Sequence, residues 1–226
     1  MDKALVVLSG GLDSTTSLRL AIEDYNVVEA ISFFYNQKQC IELELAKKTC
    51  ERLGVEHKIV DISFLGDIAK SISTNISGST IEMPTIHDVL GEPQPVTYVP
   101  NRNMIMLSIA ASYAETKGIT DIICGFQSND TYGYHDTTTS FLDKINSVLS
   151  ENRTHKIVVR APFISLTKYY EVKAVYELDG NVDLFKNTIT CYDPNEKGES
   201  CGVCPSCAER LQAFAQMGLE DPIAYV

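Results

Sequence analysis

Several features that would place a chain in a familiar class are missing from this sequence of 226 residues. No apolar run approaches the roughly 20 residues that cross a bilayer, and the first residues resemble no signal peptide. We therefore expect a cytoplasmic protein that has no membrane partner. Basic residues are also scarce, with 19 Lys and Arg against 30 Asp and Glu and a formal net charge of −11. This deficit argues against a nucleic-acid partner, because such proteins usually carry a basic surplus.

Two common nucleotide-binding motifs, G-x-x-x-x-G-K-[ST] and G-x-G-x-x-G, are absent from the first turn of the chain. A different glycine-rich turn follows the apolar run 4–8, which is typical of a buried parallel strand. Ser9, Gly10 and Gly11 permit a sharp turn, and the hydroxyls of residues 14–16 can cap the next helix. A helix N-terminus attracts anions, so the turn predicts a phosphate site. The alternative is an ordinary strand-to-helix turn with no ligand.

Apolar runs alternate with amphipathic ones along the chain, and this order predicts an α/β fold with a Rossmann-like parallel sheet and right-handed crossovers. A single main domain is expected over residues 1–180, with a C-terminal segment over 181–226. Residues 63–98 lose this periodicity and predict a mobile insertion over the site. The predicted strands are 4–8, 27–34, 55–60, 119–125 and 156–161, and the predicted helices are 15–24, 38–53, 104–117, 141–150, 167–176 and 208–217.

Four of the seven cysteines form the pattern C-x9-C-x2-C-x2-C, at Cys191, Cys201, Cys204 and Cys207. Four thiolates at this spacing suit tetrahedral Zn²⁺ in a closed structural site. An iron–sulfur cluster and a set of unliganded thiols are the alternatives. The remaining three cysteines are scattered and are expected to be buried small side chains rather than disulfides.

Three further places could bind a small molecule. The loop from Gly125 to Asp136 follows the fourth predicted strand, and its Asp130, Tyr134 and Asp136 could pair with a polar heterocycle. Arg102 and Asn103 begin a helix and could bind a carboxylate or phosphate, and Lys168 could contact a triphosphate. For each of them the alternative is an ordinary solvated polar group.

The run Ser-Gly-Gly-Leu-Asp-Ser at 9–14 resembles the SGGxDS loop of the PP-loop ATP pyrophosphatases, an adenine nucleotide alpha hydrolase-like fold. Nearly the whole chain is similar to the 7-cyano-7-deazaguanine synthase (QueC) family. The similarity rests on the loop, the spacing of Tyr35, Gln37 and Glu42, YVPNRN at 98–103, the 125–141 loop, APFISLTK at 161–168 and the final C…CGVCPSC with Arg210 and Phe214.

This resemblance implies an ATP-dependent carbon–nitrogen ligase of queuosine biosynthesis. The enzyme would adenylate 7-carboxy-7-deazaguanine, let ammonia form the amide, and dehydrate the amide to 7-cyano-7-deazaguanine with a second ATP. It implies ATP, Mg²⁺ and structural Zn²⁺ as cofactors and a homodimer as the assembly. The expected catalytic residues are Asp13, Ser14, Arg102 and Lys168. Expected ATP contacts are Ser9, Gly10, Gly11, Asp13, Ser14 and Thr15, and expected substrate contacts are Tyr35, Gln37, Arg102, Asn103, Gly125, Asp130, Tyr134 and Asp136.

The chain departs from the family pattern in two places, and both bear on the product. Gln37-Lys38-Gln39 replaces Gln-Arg-His, and residues 134–138 replace Tyr-Pro-Asp-Cys-Arg. The alternative is therefore a divergent enzyme of a defence or phage DNA-modification system. Such an enzyme would stop at the adenylate or the amide, or would transfer the acyl group to an amine of a protein partner. Two further possibilities are a tRNA-modifying PP-loop enzyme and a non-catalytic nucleotide sensor.

Overall fold

A computed structural model describes residues 2–81, 95–128 and 134–226. Within them, a five-stranded parallel sheet in the order β3-β2-β1-β4-β5 forms the centre of the protein. The order reverses at β1, so crevices open beyond the carboxyl ends of the strands that flank it. The strands are β1 Lys3–Val7, β2 Val27–Phe34, β3 Glu56–Asp61, β4 Asp121–Cys124 and β5 Val158–Arg160.

Helices pack on both faces of the sheet because successive residues of the central strand point in opposite directions. Leu5 belongs to the apolar cluster on one face, whereas Ala4 and Val6 belong to the cluster on the other. The described helices are α1 Leu12–Asp24, α2 Ile41–Leu53, α3 Phe64–Ala69, α4 Arg102–Lys117, α5 Thr139–Leu149, α6 Lys168–Asp179 and α7 Pro205–Gln216. Helices α1 and α2 cover the Val6 face, and α4 and α5 cover the Leu5 face.

The predicted α/β class is confirmed, and each predicted strand and helix has a counterpart among these elements. Most ends lie one to three residues from the predicted ones, as expected when helix ends are read from side chains alone.

The prediction that Ser14, Thr15 and Thr16 cap the first helix is wrong. The helix begins at Leu12 after Gly11, which makes no side-chain cap, and the three hydroxyl residues lie buried inside its first turns. The hydroxyl of Thr16 instead donates to the carbonyl of Leu12 at 3.0 Å. Because no side chain occupies the helix start, its free N–H groups remain available to an anion.

Part of the predicted insertion is ordered, which corrects the expectation of an unstructured stretch. Residues 64–69 form α3, and Ser73, Thr74 and Ile76 are buried. Ile76 also bridges to Gln37. Residues 82–94 lie outside the described part of the chain, and movement of the insertion stays a prediction.

The C-terminal segment packs against the main sheet domain. Leu12 of α1, Val172 of α6 and Phe214 of α7 share one apolar cluster with Phe185 of the 3-10 turn Asp183–Asn187. The segments 1–180 and 181–226 are therefore joined by buried apolar contacts. No helix in the described ranges has the length and apolar content that a membrane crossing requires.

Candidate active site

A cavity of about 350 Å³ opens at the carboxyl ends of β1, β2 and β4. Most of the predicted ATP and substrate contacts line this one space. Gly10 and Thr15 do not line it, and Asp130 lies outside the described residues. The predicted residues along its wall are Ser9, Gly11, Asp13, Ser14, Tyr35, Gln37, Arg102, Asn103, Gly125, Tyr134, Asp136 and Lys168.

The phosphate loop, residues 9–14, is held by contacts that only glycine permits. Gly10 has φ +93°, and a Cβ atom there would lie 2.1 Å from the carbonyl oxygen of Glu42. The carbonyl of Gly10 accepts a hydrogen bond from the backbone N–H of Ile189 at 3.2 Å. Across the loop, the hydroxyls of Ser9 and Ser14 lie 2.9 Å apart. Gly10 therefore shapes the loop from behind, while Ser9 and Ser14 face the cavity.

Asp13 and Lys168 form an ion pair inside the cavity wall. The Lys168 ammonium also donates to the amide oxygen of Gln127 at 3.1 Å. Glu171, one helical turn further along α6, is fully buried, and neither of its carboxyl oxygens has a hydrogen-bond partner among the described residues. This cluster thus contains one cation and two carboxyls.

The charges of the cluster follow from burial and pairing. Burial alone would raise the pKa of Asp13, but the charge of the Lys168 ammonium holds it below the ordinary value. Burial, together with the Asp13 charge, raises the pKa of Glu171 well above its usual range. Burial alone would lower the pKa of Lys168, but the nearby carboxyls of Asp13 and Glu171 raise it. The cluster is thus an Asp13–Lys168 ion pair beside a buried carboxyl, Glu171, whose charged form is disfavoured by burial.

Arg102 supplies a second cation to the cavity. Its guanidinium donates to the Tyr35 hydroxyl at 3.2 Å and to the Asn103 side-chain oxygen at 3.3 Å. No carboxylate lies within 4.0 Å of this guanidinium in the described part of the chain. Gln37, by contrast, is buried with both ends of its amide bonded to the backbone of residues 33 and 35. Arg102 can therefore receive an anion, and Gln37 shapes the wall.

The loop after β4 reaches the same space through close backbone contacts. A Cβ on Gly125 would lie 2.5 Å from the backbone nitrogen of Ser14, so the loop start lies directly against α1. At the loop end, the Asn103 amide donates to the carbonyl of Asp136 at 3.1 Å. Tyr134 hydrogen-bonds Thr97, which tethers the loop to the end of the insertion. The carboxyl of Asp136 and the ring of Tyr134 can thus face a planar heterocycle.

The four clustered cysteines converge at the start of α7. Their sulfur atoms all lie within 4.8 Å of one another. A tetrahedron with Zn–S bonds of about 2.3 Å has sulfur–sulfur edges of about 3.8 Å. Backbone N–H groups of residues 193, 201, 204 and 207 lie 3.3–3.4 Å from sulfurs of the cluster, an arrangement that suits thiolates. The donor set fits a four-coordinate metal whose ligands all come from the protein.

Several cavity residues were missed by the site prediction, and one group of them lies on the C-terminal segment. Tyr192, Ser206 and Glu209 line the cavity beside the cysteine cluster. Gln39 also lines it and donates a hydrogen bond to the Tyr192 carbonyl. Glu42 had a signal in the sequence, because it belongs to the Tyr35, Gln37, Glu42 spacing, but it was not counted as a site residue. The cysteine segment therefore forms one wall of the site.

The sheet, the glycine-rich phosphate loop and the cysteine cluster define a PP-loop ATP pyrophosphatase fold with a C-terminal segment that could bind a metal. A solved 4-thiouridine synthetase, in complex with RNA and ATP, has the same fold at a TM-score of 0.54 and 18% identity, over 98% of this chain and 50% of its own. The family model described as queuosine biosynthesis protein QueC matches residues 3–218. The chain belongs to that family.

Curated relatives match this chain over nearly their full length. Proteins named 7-cyano-7-deazaguanine synthase from Rickettsia felis and Caldicellulosiruptor saccharolyticus are 39% and 40% identical, and they cover 100% and 99% of this chain and 100% and 95% of their own. The Clostridium acetobutylicum protein of the same name is 38% identical, over 95% of this chain and 94% of its own. These names agree with the predicted synthase and favour neither the defence enzyme nor the tRNA-modifying one.

Proposed function

We propose that this chain is a 7-cyano-7-deazaguanine synthase that works as an ATP-dependent, AMP-forming carbon–nitrogen ligase. The substrate is 7-carboxy-7-deazaguanine and the nitrogen source is ammonia. The first ATP gives the acyl adenylate and pyrophosphate, ammonia then displaces AMP to give the amide, and a second ATP activates the amide oxygen for loss as the nitrile forms. The proposal extends the activity named for the relatives to the chemistry of this cavity.

The observation that carries the proposal is the shared cavity of the phosphate loop and Arg102. A carboxylate becomes a good electrophile only when one of its oxygens is made a leaving group, so it must be held in line with the α-phosphate. Arg102, whose guanidinium lies within 4.0 Å of no described carboxylate, suits the substrate carboxylate through paired N–H donors. The free N–H groups at the start of α1 suit the pyrophosphate end of ATP.

Lys168 and Asp13 have separate roles in this proposal. Lys168 stays protonated beside Asp13 and Glu171, so its positive charge is available to the phosphates as negative charge develops on the leaving pyrophosphate. Asp13 orients Lys168 and, with a side chain 27% exposed, still offers oxygen to the cavity. A carboxylate oxygen is the ligand type that Mg²⁺ prefers, and Mg²⁺ when bound with ATP neutralises phosphate charge.

The heterocycle is assigned to the loop after β4. Asp136 and Tyr134 provide an acceptor and a hydroxyl at the cavity wall, and Asn103 fixes the backbone of Asp136. A deazaguanine offers an amino group and a ring N–H that such acceptors can bind. Asp130 is proposed as a further contact of this loop, as the family resemblance implies.

Zn²⁺ is the metal that we assign to Cys191, Cys201, Cys204 and Cys207. Four protein sulfurs leave no position for water, so the metal serves structure alone. Its place at the start of α7 orders Tyr192 and Ser206 along the cavity wall. We further propose that the protein is cytoplasmic and that it forms a homodimer. Size-exclusion chromatography with light scattering tests the dimer.

One assay tests the function. The full chain is incubated with 7-carboxy-7-deazaguanine, ATP, Mg²⁺ and ammonium, and the products are identified by mass spectrometry. We expect the nitrile, with two AMP and two pyrophosphate per molecule of acid, and Asp13→Ala abolishes pyrophosphate release. Amide or acyl adenylate as the only product refutes the synthase and supports the divergent enzyme.

A further inference from the structure

Glu42 is a cavity carboxyl with no role in the proposed function so far. It lies in the first turn of α2 and lines the cavity with Arg102 and the phosphate loop. In the described part of the chain its side chain makes no hydrogen bond and no ion pair within 4.0 Å. Asp13 differs, because Lys168 holds it. Glu42 therefore presents an unpaired acceptor to whatever enters the cavity.

The backbone places Glu42 at the reacting end of the cavity. Its carbonyl oxygen lies so close to Gly10 that a Cβ there would be 2.1 Å away, and the start of α2 thus lies directly against the phosphate loop. On the cavity side, the charge of Arg102 acts on the Glu42 carboxyl. The backbone of Glu42 consequently contacts the loop proposed to hold the triphosphate, and its carboxyl shares the cavity with the cation proposed to hold the substrate carboxylate.

The electrostatic surroundings of Glu42 leave it able to exchange a proton. Burial raises its pKa to about 8, against the opposing charge of Arg102. The other titratable groups that face it are the Tyr35 hydroxyl and the Cys40 thiol, whose pKa values are both raised, chiefly by burial. Tyr35 and Cys40 are therefore neutral near pH 8. A carboxyl that titrates near the working pH is well suited to general base catalysis.

The amide-forming step needs such a group, because ammonium has no lone pair until it loses a proton. We propose that Glu42 forms an ammonium-binding site and acts as the general base for amide formation, an inference that rests on the proposed function. The carboxylate binds ammonium and takes one proton. The freed ammonia forms the carbon–nitrogen bond, the bond from the acyl carbon to the phosphate oxygen breaks, and AMP leaves with that electron pair. The second proton passes from nitrogen to water.

A carboxylate could instead bind the amino group and ring N–H of the deazaguanine. The position of Glu42 favours ammonium, because the heterocycle is assigned to the loop around Asp136 and Glu42 contacts the phosphate loop. The two roles affect different steps. Loss of a heterocycle contact weakens adenylation itself, whereas loss of the ammonium site spares adenylation and slows only amide formation.

The test is the full-length Glu42→Gln variant, which keeps the shape of a protonated glutamate. ATP–pyrophosphate exchange with the acid should stay within about twofold of the wild type, while amide formation from ammonium falls by about 10²-fold or more. Hydroxylamine is largely unprotonated at neutral pH, so hydroxamate formation should be retained. Glu44→Gln is the matched control, because Glu44 is exposed in the same helical turn and should leave all three rates unchanged.

Three results would overturn the inference. They are a parallel loss of exchange and amide formation in a variant that melts like the wild type, unchanged amide formation from ammonium, and loss of hydroxamate formation. If Glu42→Gln does not fold, Glu42→Asp keeps the carboxyl and should raise the KM for ammonium more than the KM for ATP, and equal changes refute the site. A wild-type chain without acid-dependent exchange contradicts the proposed function instead.

Discussion

The Lys168 ammonium donates a hydrogen bond to the Asp13 carboxylate across a separation of 155 residues in the sequence. The pair joins the start of α1 to the start of α6, and Lys168 is almost completely buried. Its position in the cavity wall places a fixed positive charge beside the phosphate loop.

Replacing Lys168 should damage both stability and adenylation. Lys168→Met leaves the partly buried Asp13 charge unpaired, which costs about 1–3 kcal/mol in the free energy of unfolding. Acid-dependent ATP–pyrophosphate exchange should fall by about 10²–10³-fold, since a charge at the phosphates is lost. Urea unfolding and exchange kinetics measure the two effects. Lys173→Met on the exposed face of α6 is the control, and equal losses in both variants would contradict the assignment.

The shape of the phosphate loop should depend on Gly10 for two reasons, its positive φ angle and its close contact with the Glu42 carbonyl. Gly10→Ala brings a Cβ against the carbonyl of Glu42. Gly118 also has a positive φ, but a Cβ there meets nothing within 4 Å. Gly118→Ala should cost only the roughly 1–2 kcal/mol of a left-handed residue. Gly10→Ala should cost more and also weaken ATP binding, as measured by calorimetry. Equal stability and unchanged ATP affinity would contradict the predicted clash.

Removal of the metal should unfold the C-terminal segment. Cys207→Ser should lose bound zinc, lower the melting temperature and slow adenylation, because Tyr192 and Ser206 lose their support in the cavity wall. Cys40 lies outside the cluster on an exposed residue, which corrects the expectation that it is buried, and Cys40→Ser should keep one zinc per chain. Elemental analysis of the purified proteins decides the identity of the metal. Stoichiometric iron in the purified protein would contradict the zinc assignment and support an iron–sulfur cluster. Full metal retention in Cys207→Ser would contradict the proposed ligands.

The buried Arg210–Asp221 pair should stabilise the protein far more than an exposed one. Arg210 donates to Asp221 at 2.7 and 2.9 Å and to Thr188 and Thr190, which flank Ile189 beside the phosphate loop. Arg210→Ala should cost about 3–5 kcal/mol, since Asp221 is left buried and unpaired. Lys186→Ala breaks an exposed pair and should cost less than about 1 kcal/mol. Chemical denaturation compares the two variants, and similar values would refute the difference.

Glu42 should also make stability depend on pH. Its folded pKa is about 8 and its ordinary value is 4.5, so between these values the carboxyl is neutral when folded and ionised when unfolded. Unfolding then releases a proton, and rising pH lowers the stability of the wild type. Glu42→Gln has no such proton, so its free energy of unfolding should increase relative to the wild type from pH 4.5 to about 8. A pH-independent difference would show that the pKa is not raised.

Much of the fold could be predicted because its signals are local. Uninterrupted apolar runs of strand length and amphipathic runs of helical period each reflect contacts of nearby residues with one layer of the core. The first helix was the exception, since the buried hydroxyls of Ser14, Thr15 and Thr16 looked like caps. These side chains are buried because the first turns of α1 lie inside the fold, and the preference of hydroxyl residues for helix caps does not predict that burial. Residues 64–69 likewise form a helix, although they belong to the stretch 63–98 whose loss of periodicity did not indicate one.

The parallel sheet, the loop at 9–14 and the cysteine spacing could be predicted from residue order alone, because each depends on distances along one short piece of chain. Three features became visible only in the folded chain: Lys168 pairs with Asp13, Tyr192 and Ser206 line the cavity, and Glu42 shares the cavity with Arg102 without an ion-pair partner. Charge pairing and desolvation depend on which surfaces contact one another in the folded protein. The spacing of residues along the chain does not indicate which distant surfaces make contact.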